Sequence, residues 1–155
     1  MNTQPVADRI ERQILLQAPR AKVWHALVDA ESFGDWFGVN LEGQRFVAGQ
    51  TARGHITYPG YEHLMCEMQI ERIEPERLFS YRWHPYAVDP AADYSREPTT
   101  LVEFTLEDGA GGILLRLVES GFDDIPLARR TEAYRMNSGG WDEQVANIRN
   151  YLAGH

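Results

Sequence analysis

A change of hydrophobic period divides this chain. Between Leu41 and Glu119 apolar residues recur with a period of two, whereas both flanks carry helical spacing. Turn signals at Tyr58-Pro59-Gly60-Tyr61, at Glu74-Pro75-Glu76-Arg77 and across Glu107 to Gly112 cut the middle into short segments. The pattern predicts antiparallel strands joined as hairpins. A sheet with one apolar face needs a cover, and the only long candidate is the closing segment from about Pro126 to Leu152.

That segment repeats its apolar stripe through Trp141, Val145, Ile148 and Leu152, with Tyr134 and Asn137 extending it backward. Gly139-Gly140 interrupts it, so a kink or a close approach of another element is expected there. At the other end, residues 9–17 read as a strand through Ile10, Ile14 and Leu16, with Arg12 out of pattern. Pro19 suits the first position of a helix that places Val23, Ala26 and Leu27 on one side. A second short helix follows over Asp29 to Phe37, its length limited by Gly34. Pro85 to Pro98 reads as a long, mobile loop. The sum is one α+β domain over residues 1–155, with a core of about 9–152 and a curved sheet of about six or seven strands around the terminal helix.

Hairpin arithmetic assigns the faces. Pairing Ile73 with Leu78 sets Ile70 against Tyr81, Met68 against Trp83 and Arg72 against Phe79, leaving a polar outer set that includes Glu67, Gln69, Arg82 and His84. Pairing Leu106 with Ile113 sets Phe104 against Leu115, Val102 against Leu117 and Thr100 against Glu119 inside, with a Glu103–Arg116 ion pair outside. The register around residues 58–61 stays open between a simple hairpin, which turns His55 and Leu64 inward, and a bulge, which reverses them. Glu119 is the one inward charge. Either solvent or a helix-borne arginine satisfies it at the strand end, or it orients a polar group of a ligand.

Composition removes several functions. With 23 acidic residues against 15 Lys and Arg, the formal charge is −8, which argues against nucleic acid and anionic membranes as partners. A single cysteine, Cys66, a polar N-terminus and the lack of a long apolar run point to a cytoplasmic protein with no disulfide. The histidines (His25, His55, His63, His84, His155) show no ligand spacing, and neither a nucleophile elbow nor a phosphate-binding glycine loop is present. Cys66 reads as inert packing in a strand. No catalytic residue, metal or cofactor is therefore assigned. What remains is aromatic: Trp36, Tyr81, Trp83, Phe104 and Trp141 can face the space between sheet and helix. Met68, Leu117, Glu119 and Asn137 complete a candidate ligand-binding wall.

The segments APRAKVWHALVDAESFGDWFG, IERIEPERLFSYRW, TLVEFTLEDGAGGILLRLVESGF and GGWDEQVANIRNYL together resemble the START-like (helix-grip, SRPBCC) superfamily. More closely they resemble its branch homologous to the activator of the heat-shock chaperone ATPase. The resemblance runs from about Arg9 to Leu152 and implies a helix-grip fold whose cavity holds a hydrophobic ligand, with Trp36, Trp83, Asn137 and Trp141 lining or gating it. Glu119 departs from the branch, whose members often carry His or a hydroxyl before the Ser-Gly-Phe step. Three readings follow in order: a small hydrophobic or aromatic ligand binder, a co-chaperone acting on a heat-shock ATPase, and a cyclase- or dehydratase-type enzyme with Glu119 as acid or base. Exposed edge strands would also permit a homodimer.

Overall fold

A computed structural model describes residues 8–154; the polar start at 1–7 and His155 lie outside the described residues. The elements run β1 (Arg9–Leu16), α1 (Arg20–Val28), α2 (Ala30–Phe37), β2 (Thr51–His55), β3 (Met65–Glu74), β4 (Leu78–Trp83), β5 (Thr100–Gly109), β6 (Gly112–Ser120) and α3 (Leu127–Ala153). A single turn of 3-10 helix over Phe122–Asp124 precedes α3. The strands form one six-stranded sheet in the order β1-β6-β5-β4-β3-β2, antiparallel at every pairing. The expected α+β helix-grip architecture is present, with α3 against the sheet and the two short helices after the first strand.

Local chemistry explains the helical ends. Pro19 sits immediately before α1 rather than at its first turn, and its carbonyl accepts from Val23 N at 3.1 Å. Asp29 caps α2 by accepting from the Ser32 backbone N–H at 3.1 Å and the Ser32 hydroxyl at 2.7 Å. That helix continues through Gly34 and stops at Gly38, where φ of 92° ends the helical run. Arg12, out of pattern in the sequence, points inward from β1 and binds α3: its guanidinium donates to Asp142 Oδ1 at 2.6 Å and to the Ser138 hydroxyl at 2.8 Å.

Two hairpins differ from the expected register. At β5–β6 the loop closes on Ala110 and Gly111 alone, so Leu106 pairs with Leu115, Phe104 with Leu117 and Val102 with Glu119. The slip is two residues, an even number, so every side chain keeps its expected face. The outer Glu103–Arg116 pair is lost with it, and Arg116 instead lies 3.7 Å from Glu107. At β3–β4 the pairing Ile70–Tyr81 stands, but a bulge at Glu71 shifts the turn end to Arg72–Ser80 and Ile73–Phe79. The open register at residues 58–61 resolves with Ile56 N donating to Leu64 O and His55 opposite Met65, so His55 faces out while Leu64 remains buried.

The interior of the sheet's concave face is plugged from α2. Phe33 is fully buried and stacks or meets edge-on with Trp36, Phe37, Phe46, Phe79, Tyr81 and Phe104. The glycine pair of α3 behaves differently from expectation. The helix is continuous through it, and a side-chain carbon at Gly139 or Gly140 would meet nothing within 4 Å. At Gly54 the reverse holds, since a side chain there would lie 1.9 Å from the Asn40 carbonyl oxygen.

Gly54→Ala should therefore cost about 3 kcal/mol through backbone displacement, while Gly139→Ala should add about 1 kcal/mol by helix propensity alone. Urea unfolding midpoints at constant m-value test both, and equal midpoints for the two variants would contradict the packing described.

Candidate functional site

Glu119 enters the interior from β6, flanked by Ile10 of β1 and Val102 of β5, and is fully buried. Neither solvent nor an arginine satisfies it. Its Oε2 accepts from Trp83 Nε1 at 2.8 Å and Thr100 Oγ1 at 2.6 Å. Its Oε1 accepts from Trp141 Nε1 at 2.8 Å and Asn137 Nδ2 at 3.0 Å, the same amide lying 3.2 Å from Oε2. Trp83 and Thr100 are direct cross-strand partners on β4 and β5, which is why both reach one oxygen. Asn137 and Trp141 are one helical turn apart on α3 and reach the other. Four neutral donors from three elements converge on a group that accepts at both oxygens.

On the far side of the two indoles a cleft of about 490 Å³ opens to solvent. The end of α2 and the chain after it supply Phe37, Gly38 and Val39, and the 56–64 segment supplies Ile56, Tyr58, Tyr61 and Leu64. Cys66, Trp83 and Tyr86 close the sheet side, and Asn137, Gly140, Trp141, Glu143 and Gln144 close the α3 side. Trp83 and Trp141 sit together with ring centroids 5.9 Å apart at an interplanar angle of 34°. Because each indole N–H is turned to Glu119, only ring faces and edges are left for the cleft.

Of the nine sequence-derived wall residues, Trp83, Asn137 and Trp141 border this cleft, and Glu119 stands directly behind them. Met68, Tyr81, Phe104 and Leu117 face inward as expected, yet all four are buried in the packed interior, Tyr81 and Phe104 against Phe33, and none borders the cleft. Trp36 is core as well, its Nε1 donating to the Ala26 carbonyl at 2.8 Å. Tyr81 has no hydrogen-bond partner for its hydroxyl among the described residues, and burial, with Cys66 and Glu119 nearby, holds its pKa well above the usual value. Cys66 touches the cleft, but burial, assisted by Glu67, pushes its thiol up to about 12, so it is a weak nucleophile at neutral pH. Tyr58, Tyr61, Tyr86 and Phe37 escaped the sequence reading. The aromatic pair flanking Pro59-Gly60 was the available signal.

The loop after β4 is anchored rather than free along its length. Arg129 of α3 donates to Glu97 Oε1 at 2.9 Å and 3.0 Å and to the carbonyls of Pro85 and Tyr86, and its guanidinium lies 4.7 Å from the Tyr94 ring centroid. This ties Tyr86 to the cleft margin.

The family model described as "Activator of Hsp90 ATPase homolog 1-like protein" matches residues 17–153. A Mesorhizobium loti protein superposes with a TM-score of 0.70 at 22% identity, covering 94% of this chain and 96% of its own. DynU16, from the dynemicin biosynthetic locus, gives a TM-score of 0.70 at 20% identity over 95% of this chain, which spans only 48% of that protein. The Aha1 dimer of Colwellia psychrerythraea gives 0.67 at 15% identity, with coverage of 93% and 95%. These likenesses establish the fold. No curated protein matches the chain.

Glu119→Gln places an amide N–H₂ among four donors and should destabilise the protein by about 3–5 kcal/mol. Trp141→Phe removes one donor and should cost about 1–3 kcal/mol. Denaturant titration of both single variants and the double variant tests the coupling, and additive losses would show that the carboxylate and indole do not act together.

Proposed function

From the premise that the chain belongs to the Activator of Hsp90 ATPase homolog 1-like family, we propose that it binds a small apolar or aromatic molecule in the cleft between α3 and the sheet. One observation carries this reading. Both indoles of the wall have their polar atom satisfied from behind by Glu119, so the half-buried Trp83, backed by the buried Trp141, adds apolar surface to an open cleft of about 490 Å³ lined mostly by apolar and aromatic residues. That volume and lining suit a compact organic ligand. Glu119 acts here as a positioning residue, and its oxygens are fully engaged by protein donors. An acid or base role would need a substrate atom within hydrogen-bond reach of it.

A co-chaperone role is the second reading, supported by the family description alone. Stimulation of ATP turnover by the host's heat-shock chaperone on adding this protein is its expected result, and no stimulation over a range of ratios removes it.

For the ligand reading, a panel of aromatic and aliphatic compounds should raise the unfolding temperature and quench tryptophan emission. A ligand at a hundred times its Kd adds about 2.7 kcal/mol. Gly140→Leu projects a side chain into the cleft and should abolish both responses while leaving the far-ultraviolet circular dichroism unchanged. Unaltered binding in that variant would place the ligand elsewhere.

A further inference from the structure

The cleft is polarised. None of its lining residues is Lys, Arg or His. It therefore carries no cationic group, and its polar side chains are two amides, one carboxylate, one thiol and the hydroxyls of Tyr58, Tyr61 and Tyr86. Asn137 gives its N–H₂ to Glu119 and keeps its carbonyl oxygen, while Gln144 donates to the Phe37 carbonyl and accepts from Asn147. Glu143 stands exposed at the rim with no ion pair among the described residues. At Tyr86 the nearby Arg135 is opposed by Glu132, which hydrogen-bonds the Tyr86 hydroxyl.

Behind the indoles, Glu119 makes no ion pair and is held by neutral donors only. A buried carboxylate without a counter-charge projects negative potential through the low-dielectric wall in front of it. Hydrogen bonding to that carboxylate also polarises both indoles toward greater electron density on their ring faces, and a tryptophan face is the strongest aromatic partner for a cation. Trp83, half-buried, borders the cleft with Trp141 packed behind it at 5.9 Å between ring centroids, and Tyr58, Tyr61 and Tyr86 stand around the same space.

We propose that the ligand of this cleft is an organic cation with an apolar body, an aryl or alkyl amine or a quaternary ammonium compound, whose charge rests among Trp83 and the cleft tyrosines with Glu143 beside it and the Glu119 carboxylate behind. The proposal rests on the cleft being a ligand site, and the test separates the two. Benzyltrimethylammonium, its neutral isostere neopentylbenzene and the anion 4-tert-butylbenzoate are titrated against tryptophan emission in wild type, Glu143→Gln and Gly140→Leu. The cation should bind roughly tenfold tighter than the neutral isostere, with no saturable response to the anion. Glu143→Gln should narrow that ratio, and Gly140→Leu should abolish binding of the cation and the neutral compound. Equal or tighter binding of the neutral compound, still lost in Gly140→Leu, overturns the cation preference and leaves the cleft as a ligand site. Absence of binding by all three at millimolar concentration overturns both.

Discussion

The carboxylate of Glu119 is the joint on which sheet and helix agree. Its burial alone would cost several kcal/mol, and hydrogen bonds to a charged group return about 1.5–3 kcal/mol each, so the site is stable only with all its donors in place. Those donors come from β4, β5 and α3. Apolar contact alone fixes α3 weakly, because only Ala133, Trp141, Ile148 and Leu152 are buried along its 27 residues. A hydrophobic stripe tolerates small rotations and slides, whereas hydrogen bonds from Asn137 and Trp141 to one carboxylate do not. Arg12, reaching from β1 to Ser138 and Asp142, fixes the same turn of the helix from the other side.

Parity explains what could be read from sequence. Glu119 was legible as an inward charge because the β5–β6 hairpin, even slipped by two residues, preserves faces. Its four donors were legible as inward neighbours, Thr100 as its expected cross-strand partner and Trp83, Asn137 and Trp141 on the same wall, but their convergence on one carboxylate was not, since it depends on where α3 crosses the sheet. The wall was over-assigned for a related reason. Facing inward is a property of one strand, while bordering a cleft depends on what covers that depth of the sheet. Phe33 covers Tyr81 and Phe104, and only the side chains nearer the strand ends stay uncovered. The tyrosines of the 56–64 turn came from a loop whose position is set by tertiary contacts, such as Thr57 N donating to Gly38 O and Asn147 donating to the Tyr58 hydroxyl at 3.2 Å.

The glycine pair of α3 follows from the same geometry. Two glycines inside a helix cost about 1 kcal/mol each against alanine, and neither is required by close packing here. Gly140 lies between the two residues that grip Glu119 and borders the cleft. Its missing side chain leaves room over the indoles. Apolar walls facing a solvent-open cleft favour closing over it, because closure removes apolar surface from water. Trp83 and Trp141 are the large groups best placed to swing into it, and each would have to abandon a hydrogen bond to a buried carboxylate to do so. The buried charge therefore holds the cleft open as well as the fold together. One interaction sets the position of α3, strips the polar atoms from the wall and keeps that wall from closing.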